Sequence, residues 1–209
     1  MAIKHTSIDP ILDELIEKYG TDKNLSNYNL GYAQVFKDIR HKIKSVLEIG
    51  IGSMVSNNSN FSGNMNYYPF YQPGGSLRVW RDYFPNAIVH GVDIGEDCFF
   101  EEERIKTFIF SSMDLYECKK NLYNFKYDVI IDDGDHSAIS QLVTFKNLAP
   151  LLNEGGYYFI EDLGGYQGYE EPDGTWYRPE LLGEFKEELH KTAEKYKLTV
   201  TITRPLMIH

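Results

Sequence analysis

Residues 127–136, Tyr-Asp-Val-Ile-Ile-Asp-Asp-Gly-Asp-His, constrain the fold more than any other stretch of this chain. Val129, Ile130 and Ile131 form an unbroken β-branched run, the pattern of a parallel strand covered on both faces. Three carboxylates and an imidazole follow within five residues. An unpaired charge is too costly to carry into a core. The strand must therefore leave the sheet near Asp132, at its carboxyl end, and in open α/β sheets that rim is where ligands bind. Gly134 permits a tight turn that can bring Asp133 and His136 to one pocket. The spacing points to a metal carboxylate at Asp133 beside a general base at His136. The plainer alternative for His136 is a polar residue at a helix start.

The flanking sequence alternates between strand and helix patterns. Asp9-Pro10 opens a helix over 8–19 with one apolar stripe, and Gly20 ends it. A second helix is expected over Gly31–Arg40. Ser45–Gly52 reads as a strand running into a Gly-containing turn. Further strands are expected over 87–93, 106–110 and 157–160, with helices over 75–84, 114–123, 138–151 and 179–196. A last strand over 198–203 would lie antiparallel. This alternation predicts an α/β fold, a doubly wound and mostly parallel sheet with helices on both faces and right-handed crossovers. No internal repeat or linker interrupts it, so residues 1–209 read as a single domain: an N-terminal helical segment (1–43) and a core (44–209).

The formal net charge of −10 argues against a nucleic-acid backbone as partner. No apolar run is long enough to span a bilayer, and the first residues lack the apolar segment of a signal peptide. Two cysteines make neither a disulfide framework nor a zinc site, and a reducing cytoplasm is expected.

Several motifs carry chemistry. Glu48-Ile49-Gly50-Ile51-Gly52 after the first strand would let a cofactor approach the backbone. The third glycine of a dinucleotide fingerprint would fall at position 55, which is Val55, and this counts against a nicotinamide cofactor. Asp93 ends the second strand, where an acid commonly accepts hydrogen bonds from ribose hydroxyls. Asp132, Asp133, Glu161 and Asp162 end two strands at the same rim, and oxygen donors of this kind suit a hard divalent cation. For Asp135 a helix cap is the better reading, and Asp132 is open between ligand and cap. Residues 53–75 form a long Asn/Ser/Gly/Tyr loop, and 53–73 are expected to act as a lid. A second Gly/Tyr loop spans 164–177, and its tyrosines could wall a ring-shaped substrate or serve as loop packing or a subunit contact.

Together these residues resemble a class I S-adenosylmethionine-dependent methyltransferase, with a Rossmann-like sheet. Val46–Gly52 is similar to that family's first motif, and Gly91–Ile94 to its acid-ended second strand. More narrowly, the chain resembles the metal-dependent macrolide-sugar and rhamnosyl O-methyltransferases and the cephalosporin hydroxylase-like proteins. Tyr19-Gly20-Thr21-Asp22-Lys23, Pro73–Trp80, Ile131–His136 and Tyr158–Leu163 carry this likeness. The resemblance implies S-adenosylmethionine held by Thr21, Glu48, Gly50, Gly52, Asp93, Ser112 and Asp132. It implies a magnesium-type ion on Asp133, Glu161 and Asp162, with His136 as base. It further implies a small-molecule or glycan acceptor and a homo-oligomer. The chain differs from the family in its longer 53–73 segment and in the six residues left after 203, which would truncate the last hairpin. The expected function is metal-assisted O-methylation of a sugar or similar diol. A differently catalytic or non-catalytic nucleotide-binding protein is the alternative.

Overall fold

A computed structural model describes residues 6–25, 27–55, 71–162 and 179–198. The helices are α1 (Pro10–Tyr19), α2 (Tyr28–Phe36), α3 (Gly75–Tyr83), α4 (Leu115–Leu122), α5 (Ala138–Leu148) and α6 (Pro179–Lys195). The strands are β1 (Ser45–Ile49), β2 (Ile88–Asp93), β3 (Glu101–Glu102), β4 (Ile105–Ile109), β5 (Tyr127–Asp132) and β6 (Leu152–Ile160). Among the described residues they form one sheet in the order β3-β4-β2-β1-β5-β6. Every neighbouring pair is parallel except β3 and β4. The chain runs outward from β1 through β2 to β4, then returns to the other side of β1 for β5 and β6. The topology therefore switches between β1 and β5, at whose carboxyl ends a crevice opens.

Alternation along each strand sorts side chains onto two faces. Val46, Val89, Val129 and Ile131 meet α1, α2 and α3 on one face through Leu12, Phe36 and Trp80. Leu47, Val92 and Ile130 meet α4 and α5 on the other through Cys118, Leu122 and Leu148. Helix α6 lies outside α5, with Leu189 and Ala193 against Phe145 and Ala149.

Three elements differ from the sequence reading. The second helix begins at Tyr28 and ends at Phe36, rather than spanning Gly31–Arg40, and Arg40–Lys42 is a 3₁₀ turn. Its start follows Asn27, whose left-handed φ of 64° breaks the chain direction. The strand placed at 157–160 reaches back to Leu152, through Gly155 at φ 75° and a register shift against β5. The short β3 was not foreseen: Arg104, at φ 60°, turns it back on β4 in a hairpin. Residues 199–203 of the expected last strand, the 164–177 loop, and residues 56–70 of the long loop lie outside the described residues.

Gly50 shows how tightly the crevice floor is built. It sits at φ 77°, and a Cβ there would stand 2.0 Å from the Asp133 carbonyl oxygen. The close approach lets the Asp133 N–H donate to the Ile49 carbonyl at 2.9 Å, continuing the β1–β5 ladder past both strand ends. Gly50→Ala is expected to cost about 2 kcal/mol or more, from the strained φ and the steric overlap. Denaturant unfolding checks this, and an unchanged midpoint would show that the turn is not as tight as described.

His90, on β2, is 5% exposed and shares a 2.8 Å hydrogen bond between its Nδ1 and the Tyr127 hydroxyl. Burial, with Lys106 adding repulsion, lowers its pKa to about 4. The unfolded chain keeps the ordinary value near 6.5 and so binds the extra proton first. Stability is expected to fall by about 2–3 kcal/mol as pH drops from roughly 6.5 toward 4. His90→Gln should remove that part of the pH slope. Equal slopes for the two proteins in urea titrations at both pH values would count against a buried neutral His90.

Candidate active site

The carboxyl ends of β1, β2, β4 and β5 surround a cavity of about 380 Å³. Gly50 and Gly52 form its floor, both at positive φ. Asp93 holds the turn between them from the side. Its Oδ2 accepts from the Ile51 N–H and its Oδ1 from the Gly95 N–H, each at 2.8 Å. Asp97 does the same one step on, accepting from Ser53 Oγ at 2.5 Å and the Met54 N–H at 2.7 Å. Val92, Ile94, Phe110 and Met113 give the cavity an apolar wall next to Asp93 and Ser112. Ser112 Oγ is fixed by a 2.7 Å hydrogen bond with Thr144 Oγ1.

The acids arrive in two layers, and strand parity explains why. Glu48, Ile131 and Phe159 stand at one level across β1, β5 and β6. Ile49, Asp132 and Ile160 stand one residue on. Glu48 thus points to the α1–α3 face, and Asp133 and Glu161, one residue beyond the next level, fall on that side too. Glu48 is fully buried and Glu161 is 3% exposed. Between them lies the ammonium of Lys23, supplied by the loop between α1 and α2 and itself only 1% exposed. Lys23 Nζ donates to Glu161 Oε1 at 2.8 Å, Glu161 Oε2 at 3.0 Å and Asp133 Oδ2 at 3.0 Å. It also lies 3.2 Å from Glu48 Oε1, an ion-pair contact. Glu48 Oε2 accepts from Ser76 Oγ at 2.6 Å and Trp80 Nε1 at 3.1 Å. The Tyr32 hydroxyl donates to Glu161 Oε1.

Burial alone would drive Lys23 to lose its proton, yet Asp133, Glu161 and Glu48 together hold its pKa well above the ordinary range. Glu161 and Glu48 are pushed the other way, toward the neutral acid, because burial outweighs the help from Lys23. Burial also raises Asp133, but Lys23 and His136 more than offset it, and this carboxylate stays ionised.

The outer layer is open to solvent. Asp133 Oδ1 lies 3.5 Å from His136 Nε2, and Asp162 Oδ2 lies 3.4 Å from His136 Nδ1. Asp162 sits at φ 53°. Tyr28, at the start of α2, holds it there by accepting from the Asp162 N–H at 2.7 Å and donating to Asp162 Oδ1 at 2.6 Å. Asp133, His136 and Asp162 each offer a ligand atom, all within 4.8 Å of one another. The Asp133 carboxylate beside it raises the His136 pKa against the opposing effect of burial, and Asp162 adds to the rise.

Of the residues singled out from sequence, Gly50, Gly52, Asp93, Ser112, Asp133, His136 and Asp162 line the cavity. Thr21, Glu48, Asp132 and Glu161 do not. Thr21 is 8% exposed beside the Lys23 loop. Asp132 turns to the opposite face of the sheet, where burial raises its pKa to about 8 and its Oδ2 has no hydrogen-bond partner among the described residues. Asp135 is not the helix cap expected of it: Ser137 is the N-cap of α5, its Oγ accepting from the Ser140 N–H, while Asp135 lines the cavity and its Oδ2 accepts from Ser137 Oγ and Ser140 Oγ, both at 2.9 Å. Lys23, Tyr28 and the cavity-lining Asp22 were missed. Two signals were available: Asp22 and Lys23 lie in the Tyr19–Lys23 stretch that carries the family likeness, and three acids on one face of three strands require a cation that those strands do not supply.

No protein-family model matches the chain. A rhamnosyl tetracenomycin-C 2'-O-methyltransferase of Streptomyces olivaceus is 33% identical over 156 residues, 74% of this chain and 38% of that protein. Demethylmacrocin O-methyltransferase of Streptomyces fradiae is 33% identical over 177 residues, 80% of this chain and 41% of that protein. The chain thus spans about two-fifths of the length of these curated relatives. Among solved structures, MycE methyltransferase in complex with Mg, SAH and mycinamycin VI superposes with a TM-score of 0.69 at 28% identity, over 90% of this chain and 48% of that one. Sequence and fold together make the chain a homologue of the macrolide-sugar and rhamnosyl O-methyltransferases.

Proposed function

We propose that this chain transfers the methyl group of S-adenosylmethionine to a hydroxyl of a sugar or similar small diol, assisted by a divalent cation such as magnesium. The observation that carries this reading is the set of Asp133, His136 and Asp162 at the lip of the cavity above the Gly50–Gly52 turn. The relatives support the acceptor class: one is named for a rhamnosyl tetracenomycin and another for demethylmacrocin, and the MycE complex holds Mg, SAH and mycinamycin VI. A cytoplasmic setting, a homo-oligomeric state and a single domain over 1–209 belong to the same reading.

The residues fit these groups. The glycine turn leaves the backbone open to an adenosine-type cofactor, and Asp93 stands at the end of β2 for its ribose. Ile94, Phe110 and Met113 provide an apolar slot suited to a purine ring, and Ser112 a hydroxyl beside it. Asp133 Oδ1 and Asp162 Oδ2 are the oxygen donors that a hard cation takes. When bound, the cofactor supplies an activated methyl group, and the ion withdraws electron density from the acceptor hydroxyl. Asp133 and Asp162 then orient two neighbouring acceptor oxygens, and positioning replaces covalent catalysis. The imidazole of His136 takes the hydroxyl proton as the methyl arrives. With an ion present, the pull of the two carboxylates on His136 is shared, so its pKa is lower than in the ion-free site and the neutral base is available nearer pH 7. Glu161 and Glu48 act from behind by holding Lys23 in place.

Incubation with methyl-labelled S-adenosylmethionine and a panel of rhamnosyl and macrolide glycosides should give a product heavier by one methyl group, and excess chelator should abolish it. Transfer at full rate by a demonstrably metal-free protein would rule out the ion. His136→Ala should leave S-adenosylhomocysteine binding nearly intact while slowing the chemical step by about 10²–10⁴-fold at saturating acceptor. A near-normal single-turnover rate in that variant would return His136 to the role of a polar residue at a helix start.

A further inference from the structure

The carboxylates that line the cavity are those of Asp22, Asp93, Asp133, Asp135 and Asp162. All but one are held by neighbours. Asp93 accepts from the Ile51 and Gly95 N–H groups, and Asp133 from Lys23. Asp135 accepts from Ser137 and Ser140, and Asp162 from Tyr28. Asp22 is the exception. Its partly buried carboxylate meets its own main-chain N–H, and no other described residue gives it a hydrogen bond or an ion pair. Lys23 is next in sequence, but its ammonium turns inward to Glu161 and Asp133. Burial, and repulsion from Asp133 and Asp162, raise the Asp22 pKa against the pull of Lys23. Neither Lys nor Arg is found among the described residues that line the cavity. An unpaired carboxylate facing such a space is matched by a cation that arrives with a ligand.

Strand order sets where along the cavity Asp22 lies. Across the sheet the relevant order is β4-β2-β1-β5-β6. The apolar slot of Phe110, Met113 and Ile94 follows the ends of β4 and β2, Asp93 ends β2, and the Gly50–Gly52 turn follows β1. Asp133 and Asp162 come after the ends of β5 and β6, and Asp22 feels the charge of both. Asp22 therefore stands across the glycine turn from the slot. A methyl donor with its purine in the slot and its ribose at Asp93 directs its amino-acid end to that side. Near neutral pH this end carries an ammonium.

Resting on the methyl-transfer reading above, we propose that Asp22 is a cofactor-binding residue whose carboxylate is the counter-charge for the α-ammonium of S-adenosylmethionine. Asp93 fixes the adenosine end and Asp22 the amino-acid end, so the sulfur between them is held from both sides. The direction of the sulfonium methyl then follows from two acids on opposite sides of one glycine turn.

The test compares two ligands by isothermal titration calorimetry in magnesium buffer. One is S-adenosylhomocysteine. The other is its deaminated analogue, which keeps the adenosine, the sulfur and the carboxylate but has hydrogen in place of the amino group. The wild type should prefer S-adenosylhomocysteine by about 10–100-fold, the scale of a charge-assisted hydrogen bond. Asp22→Asn should bind the deaminated analogue as the wild type does, which also shows that the variant is folded, and should lose the preference. Equal affinities of the wild type for the two ligands would overturn the inference without recourse to any variant. So would a preference that survives Asp22→Asn, or a variant that loses both ligands alike, since the effect would then not belong to the ammonium. A wild type that binds neither ligand would remove the methyl-donor reading itself, and the Asp22 assignment with it.

Discussion

The Lys23 ammonium, buried among Glu48, Asp133 and Glu161, is the interaction on which the rest of the site depends. Side-chain alternation sends these three acids to the same face of the sheet, where α1, α2 and α3 pack. Without a counter-ion that face could not close, because the cost of desolvating carboxylates exceeds what packing returns. The cation comes from outside the sheet, from the loop between α1 and α2. The N-terminal helices are thereby locked to the strand ends, and Tyr32 and Tyr28 of α2 extend the connection to Glu161 and Asp162. Removing one partner of such a buried group typically costs about 3–5 kcal/mol, since the remaining charges are left uncompensated.

This arrangement divides one acidic cluster into two layers with different chemistry. The inner layer is buried, and Glu48 and Glu161 are driven toward their neutral forms while Lys23 stays charged. The outer layer is partly wet, and Asp133 stays ionised with 24% of its side chain exposed. Asp133 belongs to both layers: Oδ2 faces the ammonium and Oδ1 the solvent side. Its orientation is fixed from behind by Lys23 and from beneath by the Gly50 contact. Asp162 is fixed from the side by Tyr28 despite its strained backbone. The outer edge is therefore held by fixed contacts, which is what the proposed catalysis by positioning requires.

Much of this was legible in the sequence, for reasons that can be named. The β-branched run before Asp132 identified β5 and its carboxyl end, and the glycine turn and Asp93 identified the neighbouring ends at the switch point. What the sequence did not disclose was which acids would find partners. Glu161 reads as an ion ligand, and Glu48 as a cofactor-binding residue of the glycine turn, because an acid near a strand end looks the same whether it faces solvent or a buried lysine. Lys23 follows Asp22 in a loop between two helices, where a lysine is ordinarily exposed, and nothing local marks it as buried. Asp132 was ambiguous for a related reason: parity separates it from Asp133, and only the register of β1, β5 and β6 fixes which face each takes. The second helix was placed too late because Asn27 carries no side-chain cap of the usual kind.

A crystal structure of the full chain with S-adenosylhomocysteine and Mn²⁺ would test the layered centre most directly, by anomalous scattering at the manganese edge. The expected result is a single peak in contact with Asp133 Oδ1 and Asp162 Oδ2, with Lys23 Nζ still among Glu48, Asp133 and Glu161 and the adenosine beside Asp93. A peak at the inner position with Lys23 swung away, or no peak in the presence of bound S-adenosylhomocysteine, would contradict it.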